Sequence, residues 1–334
     1  MFQTIKYKLP KPVNFDESNP EFDVFTKLPE ENCFAPEIKF LRKIRIATNS
    51  VIFSYFKVFR DSCLGEEQYQ KYRSWRFFFK FIFPKFNFSK KRFLLITDEY
   101  CSNYFHWHVF ALKRLLVLQK HGLIKDSILL LPKKYQKYPF VFPSLAKFGI
   151  TKQQIVFLPR KSNIKVAEIP FVKDPYHHPQ ISRQLRGILT GNTLSLDLGE
   201  KIYISREKQI LRFVENEDEV MKLLTKYGFK KIIAEQFSYE EQIAIFSRTK
   251  YLIGPHGAGL TNVLFMKEGS AILELAGKNN GFNRDYLALS SMIGVRYFYQ
   301  QCPHGEKGIK KDFHHGSLMI DIKKLEKNLQ LMLQ

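Results

Sequence analysis

Short apolar runs alternate with longer segments of helical spacing through the second half of the chain. The runs predict strands, and the segments between them, whose hydrophobic residues recur every three or four positions, predict helices. The predicted strands are 201–205, 231–234, 251–253, 271–276 and 295–299, and the predicted helices are 216–227, 238–247 and 284–293. This alternation is typical of a parallel sheet in an α/β fold.

Capping residues support these predicted helices. Asn216 stands where it can cap one helix, and Gly228 stands where that helix should end. Ser238 followed by Glu241 predicts a capping box. Asp321 predicts the start of a last helix near the C-terminus.

The first half of the chain is less regular. Apolar runs predict strands at 44–47, 51–58, 93–97, 127–131 and 155–158, and helical spacing predicts helices at 103–121, 143–148 and 179–189. The 334 residues exceed one typical hydrophobic core. Because Gly, Asn, Thr and Ser cluster at 191–200, we expect one domain at 1–195 and another at 196–334, with the last helix free to pack back on the first.

The stretch Gly254–Asn262 reads Gly-Pro-His-Gly-Ala-Gly-Leu-Thr-Asn and joins a predicted strand to a helix-like run. Glycines let backbone amides approach a ligand closely. Unpaired amides and the helix dipole favour an anion at a helix start. The turn is therefore interpreted as the floor of a site for a nucleotide diphosphate. The alternative is a tight turn that binds nothing.

Charged residues follow two of the strands that should border this turn. Arg206 and Arg212 come after the strand at 201–205, and guanidinium groups can grip phosphate oxygens bidentately. His256 lies in the turn, where it can stabilise a departing phosphate. Glu235 and Glu274 lie at strand ends and can accept hydrogen bonds from sugar hydroxyls. The alternatives are a solvated basic loop, a histidine that only bonds the turn, and ordinary caps or ion pairs.

In the first half, His106 lies in the sequence Asn103-Tyr104-Phe105-His106-Trp107 at the start of a predicted helix. Histidine titrates near neutral pH, so His106 is a candidate general base for an acceptor hydroxyl. The alternative is a buried histidine beside core aromatic residues.

The net charge of +21 predicts an anionic partner such as a nucleotide, a nucleic acid, an acidic glycan or an anionic membrane. Residues Lys71–Phe93 hold eight Lys or Arg, ten aromatic residues and no acidic residue. This composition suits the headgroup layer of a membrane or single-stranded nucleic acid. An ordinary domain surface is the alternative.

Several other classes lack their signatures. No Walker lysine follows the glycine turn, and the GxGxxG fingerprint is missing. The four cysteines form no CxxC pair, and adjacent histidines such as His177-His178 have no partner carboxylates in sequence, so no metal site is expected. No signal segment or long apolar run is present. We therefore expect a cytoplasmic protein that can contact the inner membrane face peripherally.

Taken in order, these clusters resemble glycosyltransferase family 61. The residues that carry the resemblance are 103–107, 203–206 with Arg212, Asn216-Glu217, Glu235, Gln242, 253–262, Phe265-Met266, Gly269 and Glu274. The resemblance implies a GT-B architecture, with two Rossmann-like domains facing across a cleft. It also implies an inverting transferase that uses a nucleotide sugar, commonly a UDP sugar, and needs no metal or other cofactor. We expect a bacterial-like member of the surface-polysaccharide type, acting on a glycan or lipid-linked glycan.

The resemblance also assigns roles. His106 and His256 are the expected catalytic residues, and Asn103 and Trp107 lie on the acceptor side. The donor diphosphate is expected against Arg206, Arg212, Gly257, Ala258, Gly259, Leu260, Thr261, Asn262 and Glu274. The ordered motifs favour this enzyme over a nucleic-acid-binding protein and over an inactive scaffold of the same fold.

Overall fold

The computed structural model describes residues 2–28, 30–63, 65–80, 84–86, 92–173, 175, 177–191, 193–278, 284–307 and 316–334. The chain forms two compact units. The first contains Met1–Thr4 and Phe34–Ile181, and the second contains Ile5–Cys33 and Ser182–Gln334. The division thus falls after Ile181 rather than after residue 195, and an N-terminal segment belongs to the second unit.

Fifteen strands lie in the described residues. They are β1 Ile5–Lys8, β2 Glu30–Cys33, β3 Ile38–Ala47, β4 Ile52–Ser54, β5 Lys57–Val58, β6 Pro84–Phe86, β7 Arg92–Leu94, β8 Ser127–Pro132, β9 Ile155–Leu158, β10 Asn163–Val172, β11 Lys201–Ile204, β12 Lys230–Ile232, β13 Tyr251–Pro255, β14 Ala271–Gly277 and β15 Arg296–Cys302.

The α-helices in the same residues are α1 Gly65–Tyr72, α2 Trp75–Lys80, α3 Tyr104–His106, α4 Leu112–Lys120, α5 Val141–Ala146, α6 Pro179–Thr190, α7 Glu217–Lys226, α8 Tyr239–Arg248, α9 Asp285–Met292 and α10 Ile322–Leu333. A π-helical turn, Trp107–Ala111, joins α3 to α4. The 3₁₀ helices are Pro20–Phe25, Arg60–Ser62, Lys133–Lys137, Lys152–Gln154, Ala234–Gln236 and Ala258–Phe265. None of the described helices is both long enough and apolar enough to cross a membrane.

The second unit is built on the predicted parallel sheet. Its strand order is β12-β11-β13-β14-β15, and every neighbouring pair is parallel. All residues of β13 and β14 are buried, because helices and loops cover both faces of such a sheet. The carboxyl ends of the strands meet at one edge, which is where ligands bind in sheets of this kind.

The last helix and the N-terminal segment both pack within the second unit. Leu325, Leu329 and Met332 of α10 join the core of this unit, so the helix does not need the first domain to cover its apolar face. Phe25 packs edge-to-face on Tyr299 of β15, with ring centroids 4.9 Å apart. The Val13 amide donates to Tyr297 O at 2.8 Å. The sequence patterns predicted no element before residue 44 and so missed this packing.

The first unit combines two sheets. β7, β8 and β9 form a parallel three-stranded sheet. The other sheet has the order β5-β4-β3-β10-β6 and is antiparallel except for the β10–β6 pair. The mixed α/β class with parallel sheets is therefore confirmed. A simple Rossmann-like first domain is not what the structure has, because the unpredicted strand β10 pairs antiparallel with β3.

Candidate functional site

The glycine turn lies at the carboxyl end of β13, in the middle of the parallel sheet. The His256 amide donates to Leu275 O at 2.8 Å and so ties the turn to the neighbouring strand β14. Gly257 is extended, with φ 164° and ψ 171°. The helix-like run that follows is a 3₁₀ helix over Ala258–Phe265. A 3₁₀ helix is tighter and has poorer hydrogen-bond geometry.

The glycines of the turn are explained by close packing. A Cβ on Gly257 would lie 2.1 Å from Arg206 Nη1, and a Cβ on Gly259 would lie 3.2 Å from Ile204 Cγ2. Both neighbours come from the end of β11. Glycine therefore lets this strand end press against the turn, and it places the Arg206 guanidinium directly on the turn's backbone.

Fewer backbone amides of the turn are available to bind an anion than the sequence predicted. The Leu260 amide donates to Gly257 O at 2.9 Å, and the following amides lie inside the 3₁₀ helix, where each donates to the carbonyl three residues back. Among the described residues, the amides of Gly257, Ala258 and Gly259 have no such acceptor. Of the amides of Gly257 to Asn262, which were expected to bind the diphosphate, only these three are thus available.

Leu260, Thr261 and Asn262 are all buried, with exposed fractions of 1%, 0% and 0%. Leu260 packs close to Gly254. Asn262 Nδ2 donates to Gln242 Oε1 at 3.1 Å, and Gln242 Nε2 donates to Phe237 O at 3.1 Å. These two bonds fix the turn to α8 and engage the Asn262 side chain within the protein.

Two arginines lie beside the turn. Arg206 Nε and Nη2 donate to Leu211 O at 3.2 and 3.0 Å, which curls the loop after β11 around the guanidinium. Burial lowers the pKa of Arg206 to about 10, and the nearby positive charge of Arg212 acts in the same direction. Burial also lowers the pKa of Arg212. Both groups still carry a charge at neutral pH.

These arginines form a positive site on which Glu235 and Glu274 act only at a distance. Within the described residues, neither guanidinium forms an ion pair with a carboxylate, although two half-buried like charges repel. Arg212 also has φ 56°, in the left-handed region that non-glycine residues rarely adopt. Strain of this kind is concentrated at functional sites. With the three amides, this arrangement is suited to binding a polyanion.

A buried relay lies behind the turn. The Glu274 Oε1 atom accepts a hydrogen bond from His256 Nδ1, and Glu274 Oε2 accepts one from Tyr297 at 2.6 Å. Burial and the adjacent Glu274 raise the pKa of Tyr297 far above its usual value, so its phenol remains a donor. The carboxylate therefore sets the orientation and tautomer of the His256 ring.

Glu274 differs from its expected role. It is only 1% exposed, and His256 and Tyr297 occupy its two oxygens. Both oxygens of this buried carboxylate are therefore occupied within the protein and are not open to sugar hydroxyls. Glu235, by contrast, is exposed and accepts from Gln209 Nε2 at 3.0 Å.

Three supporting residues were missed as such by sequence reasoning. Tyr286 of α9 donates to Gly257 O at 2.6 Å and packs on His256 with ring centroids 5.3 Å apart. Tyr297 completes the buried relay. Glu217, the first residue of α7, accepts from Tyr203 and Ser205 at 2.9 Å and so anchors the end of β11. Glu217 was named only as part of the family resemblance, without this anchoring role, and the two tyrosines are identified only by their burial in the fold.

Asn103, His106 and Trp107 belong to the first unit. Asn103 caps α3, its side-chain oxygen accepting from the Phe105 amide at 2.8 Å. Trp107 is 0% exposed and donates from Nε1 to Ser144 Oγ at 2.9 Å. Asn103 is thus an exposed helix cap, and Trp107 is a core residue with no exposed surface to offer an acceptor. His106 is half-buried and stacks on Phe110 with centroids 5.3 Å apart.

Two further expectations concern other parts of the chain. The described residues hold no group of three or more His, Cys, Asp or Glu side chains arranged to bind a metal ion. Of the basic aromatic stretch Lys71–Phe93, residues 71–80, 84–86 and 92–93 are described, and the others lie outside the described residues.

The sequence profile of Glycosyltransferase 61 matches residues 104–273, which include the first-domain helix, the arginine loop and the glycine turn. The chain belongs to glycosyltransferase family 61. Membership of family 61 places it among the glycosyltransferases, as the ordered motifs predicted.

The curated relatives of this family 61 chain include three animal proteins named EGF domain-specific O-linked N-acetylglucosamine transferase. The Drosophila melanogaster protein is 39% identical over 98 residues, covering 28% of this chain and 18% of the relative. The Bos taurus protein is 34% identical over 91 residues, 26% of this chain and 17% of the relative. The Mus musculus protein is 32% identical over 97 residues, 28% and 18% of the two chains.

The matched segments thus span less than a fifth of each relative's length. These relatives are eukaryotic, so they give no support to the expected bacterial, surface-polysaccharide type of member.

Proposed function

We propose that this chain transfers a sugar from a nucleoside diphosphate sugar, with UDP as the nucleotide, to a hydroxyl group of a glycan or glycoprotein. The observation that carries the proposal is the pair of half-buried guanidiniums, Arg206 and Arg212, beside three unbonded amides and without a carboxylate partner among the described residues. A diphosphate supplies the negative charge and the acceptor atoms that this arrangement lacks.

The acceptor oxygen attacks the anomeric carbon of the donor sugar, and the bond between that carbon and the β-phosphate oxygen breaks. Negative charge therefore develops on the departing diphosphate. Arg206, Arg212 and the amides of Gly257, Ala258 and Gly259 stabilise this charge without reorganising, which lowers the barrier. In this scheme the guanidiniums take the part that a metal ion plays in other transferases.

His256 is proposed to assist the leaving group. Its ring is oriented by Glu274 and packs on Tyr286, and it immediately precedes the three amides. With Nδ1–H held by Glu274, the ring can donate a hydrogen bond or a proton from Nε2 to the departing phosphate oxygen when both of its nitrogens are protonated. Glu274 and Tyr297 are positioning residues in this role, because they act through His256.

Direct displacement with inversion requires a base for the acceptor proton. His106 remains the proposed base, and the GT-B architecture implied by the family is part of the same proposal. His106→Ala is expected to lose turnover while UDP affinity is retained. If both fall together, His106 is not the base.

The names of the matched relatives suggest which donor to test first. They describe transfer of N-acetylglucosamine, so UDP-N-acetylglucosamine is the proposed donor, and a hydroxyl of a glycoprotein or glycan is the proposed acceptor. Other UDP sugars serve as comparisons in the same assay.

The test is a thermal-shift titration with UDP and UDP sugars in the presence of a metal chelator. A ligand that binds only the folded chain raises the melting temperature with concentration. Arg206→Ala is expected to weaken UDP binding by about tenfold to a hundredfold, because a hydrogen bond to a charged group is lost. Lys208→Ala removes the same charge from an exposed position in the same loop and should leave UDP affinity nearly unchanged.

Two results would reject the proposed donor site. One is equal UDP affinity in wild type and Arg206→Ala. The other is an equal loss in both variants, which would indicate general attraction by a basic protein rather than a built site.

A further inference from the structure

The first unit presents an exposed aromatic cluster, made of Tyr55, Phe56, Trp75 and Phe79. Their exposed fractions are 86%, 68%, 66% and 66%. Phe56 and Trp75 contact each other with ring centroids 5.3 Å apart, and Trp75 and Phe79 lie 6.1 Å apart. Large aromatic side chains grouped in this way on a surface mark an interaction site.

The aromatic cluster stands on a rigid base. Phe53, Phe77 and Phe78 are buried beneath it, in one core cluster with Val58 and Tyr72. Phe56 packs edge-to-face on Phe78 at 5.6 Å. The same short elements, the β4–β5 hairpin and α2, therefore bury one set of rings and hold a second set in solvent.

The tip of the hairpin places a bulky residue where the backbone favours glycine or asparagine. Ser54 pairs with Lys57, so Tyr55 and Phe56 form the two-residue turn. Tyr55 has φ 50°, in the left-handed region where glycine or asparagine is preferred at such a turn. A bulky side chain is strained there and gains no burial in return. This cost is understandable if the tyrosine has a partner outside the chain.

The charged residues on the hairpin and on α2 are all basic. Lys57 lies on the hairpin, Arg76 on α2, and Lys71 and Arg73 on the segment that leads into α2, and all four are exposed. Neither 53–57 nor 71–80 contains an acidic residue. The nearby Glu66 of α1 is already paired with Arg60 at 2.7 Å.

We propose that the aromatic cluster and its surrounding cations dock the first unit on an anionic lipid bilayer. Aromatic rings prefer the interface between headgroups and acyl chains, and lysine and arginine side chains bind the anionic headgroups. The rings enter the interface from a short hairpin and a single short helix, so the contact is peripheral. This proposal is independent of the proposed transferase reaction.

The experiment measures binding of the full chain to vesicles of phosphatidylcholine, alone or mixed with phosphatidylserine, by co-sedimentation. Binding is expected to the mixed vesicles and to fall as salt is raised. Arg73→Ala/Arg76→Ala should weaken it about thirtyfold, from about 1 kcal/mol for each basic residue. Lys222→Ala/Lys226→Ala, which removes the same charge from α7, should change it little.

A second variant separates docking from folding. Tyr55→Gly/Trp75→Ser removes two exposed rings and the strained backbone, so we expect weaker vesicle binding with no loss of melting temperature. Unchanged vesicle binding in this variant overturns the proposal, as does an equal loss in the α7 control. Wild-type binding to a single-stranded RNA oligonucleotide but not to the mixed vesicles also overturns it, in favour of a nucleic-acid surface.

Discussion

Gly257 lies between Arg206 and Tyr286, the first against its Cα and the second bonded to its carbonyl oxygen. The sequence predicted a close approach at this glycine and attributed it to a ligand. In the structure it is the Arg206 side chain that comes close, and it thereby becomes part of the turn. Gly257 is therefore needed to make room for the Arg206 side chain. No local pattern could reveal this link, because the two residues are far apart in sequence.

Gly257→Ala is expected to weaken UDP binding by about tenfold, because the new Cβ would lie 2.1 Å from Arg206 Nη1 and must displace the guanidinium. The extended backbone tolerates alanine, so the fold should survive. Isothermal titration with UDP measures the effect. Gly187→Ala in α6 is the matched control, since its Cβ meets nothing within 4 Å. Unaltered affinity in Gly257→Ala would show that Arg206 does not contact the donor.

The His256–Glu274 pair is expected to behave as one unit in catalysis. His256→Ala should reduce turnover by about a hundredfold, the usual scale for a positioned acid or base. Glu274→Gln should also reduce it, because the ring loses its orienting carboxylate. The double variant should be little worse than His256→Ala alone, as coupled residues are not additive. Multiplied losses in the double variant would mean that Glu274 acts on the substrate separately.

At the scale of single elements, local signals predicted well where the chain obeys local rules. The Ser238–Glu241 capping box is present, and Asp321 caps α10 through the Lys324 amide. Asn216 is also at a helix start, but it makes no capping bond. Its side chain pairs instead with the backbone of Ile320, more than a hundred residues away. A side chain that bonds a distant backbone group in this way is not available to cap its own helix. The spacing of residues in the sequence cannot predict this.

Ser238→Ala tests the local prediction directly. The change removes the oxygen that accepts from the Glu241 amide at 3.3 Å and should lower the free energy of unfolding by about 1 kcal/mol. Urea unfolding measures this. Ser247→Ala on the same helix is the control, since the Ser247 hydroxyl only bonds the Ala244 carbonyl within the helix. Equal free energies of unfolding for the two variants would show that the Ser238 cap does not stabilise the fold.

At the scale of the whole molecule, the fold class and the order of the motifs could be predicted from the sequence, but the composition of the units could not. The segment Ile5–Cys33 packs on β15, more than 250 positions later, and β10 joins β3 from more than a hundred positions away. Pairings at that distance depend on complementary surfaces that exist only in the folded chain. The candidate donor-side residues could be named from the sequence because they cluster after strand ends, whereas the tyrosines that support them come from other elements.

A buried ion pair should make the first unit sensitive to acid. Burial alone would raise the pKa of Asp98, but Arg114 and the hydrogen bonds from Cys101 and Tyr100 outweigh it and hold the pKa below its usual value. A carboxyl group with a lowered folded-state pKa stabilises the fold above its unfolded pKa of about 3.9. That contribution is lost as the pH falls through the lower folded value.

Melting temperatures measured from pH 7 down to acid should therefore fall more steeply for wild type than for Asp98→Asn. The variant should be less stable at pH 7, because Arg114 keeps its charge in a buried place without its partner. Parallel curves for the two proteins would mean that Asp98 does not contribute to the acid sensitivity.

The π-helical turn at Trp107–Ala111 has a consequence for the way this chain tolerates insertions and deletions. Such a turn holds one residue more than the α-helix around it. The wider turn absorbs the extra residue, so α3 before it and α4 after it keep their faces. Removing a single residue within the turn would restore regular α-helical winding and leave the direction of His106 almost unchanged. The same deletion inside α4 would rotate everything upstream by about 100° about the helix axis. The turn is therefore a place where a change of length costs the proposed base little of its orientation.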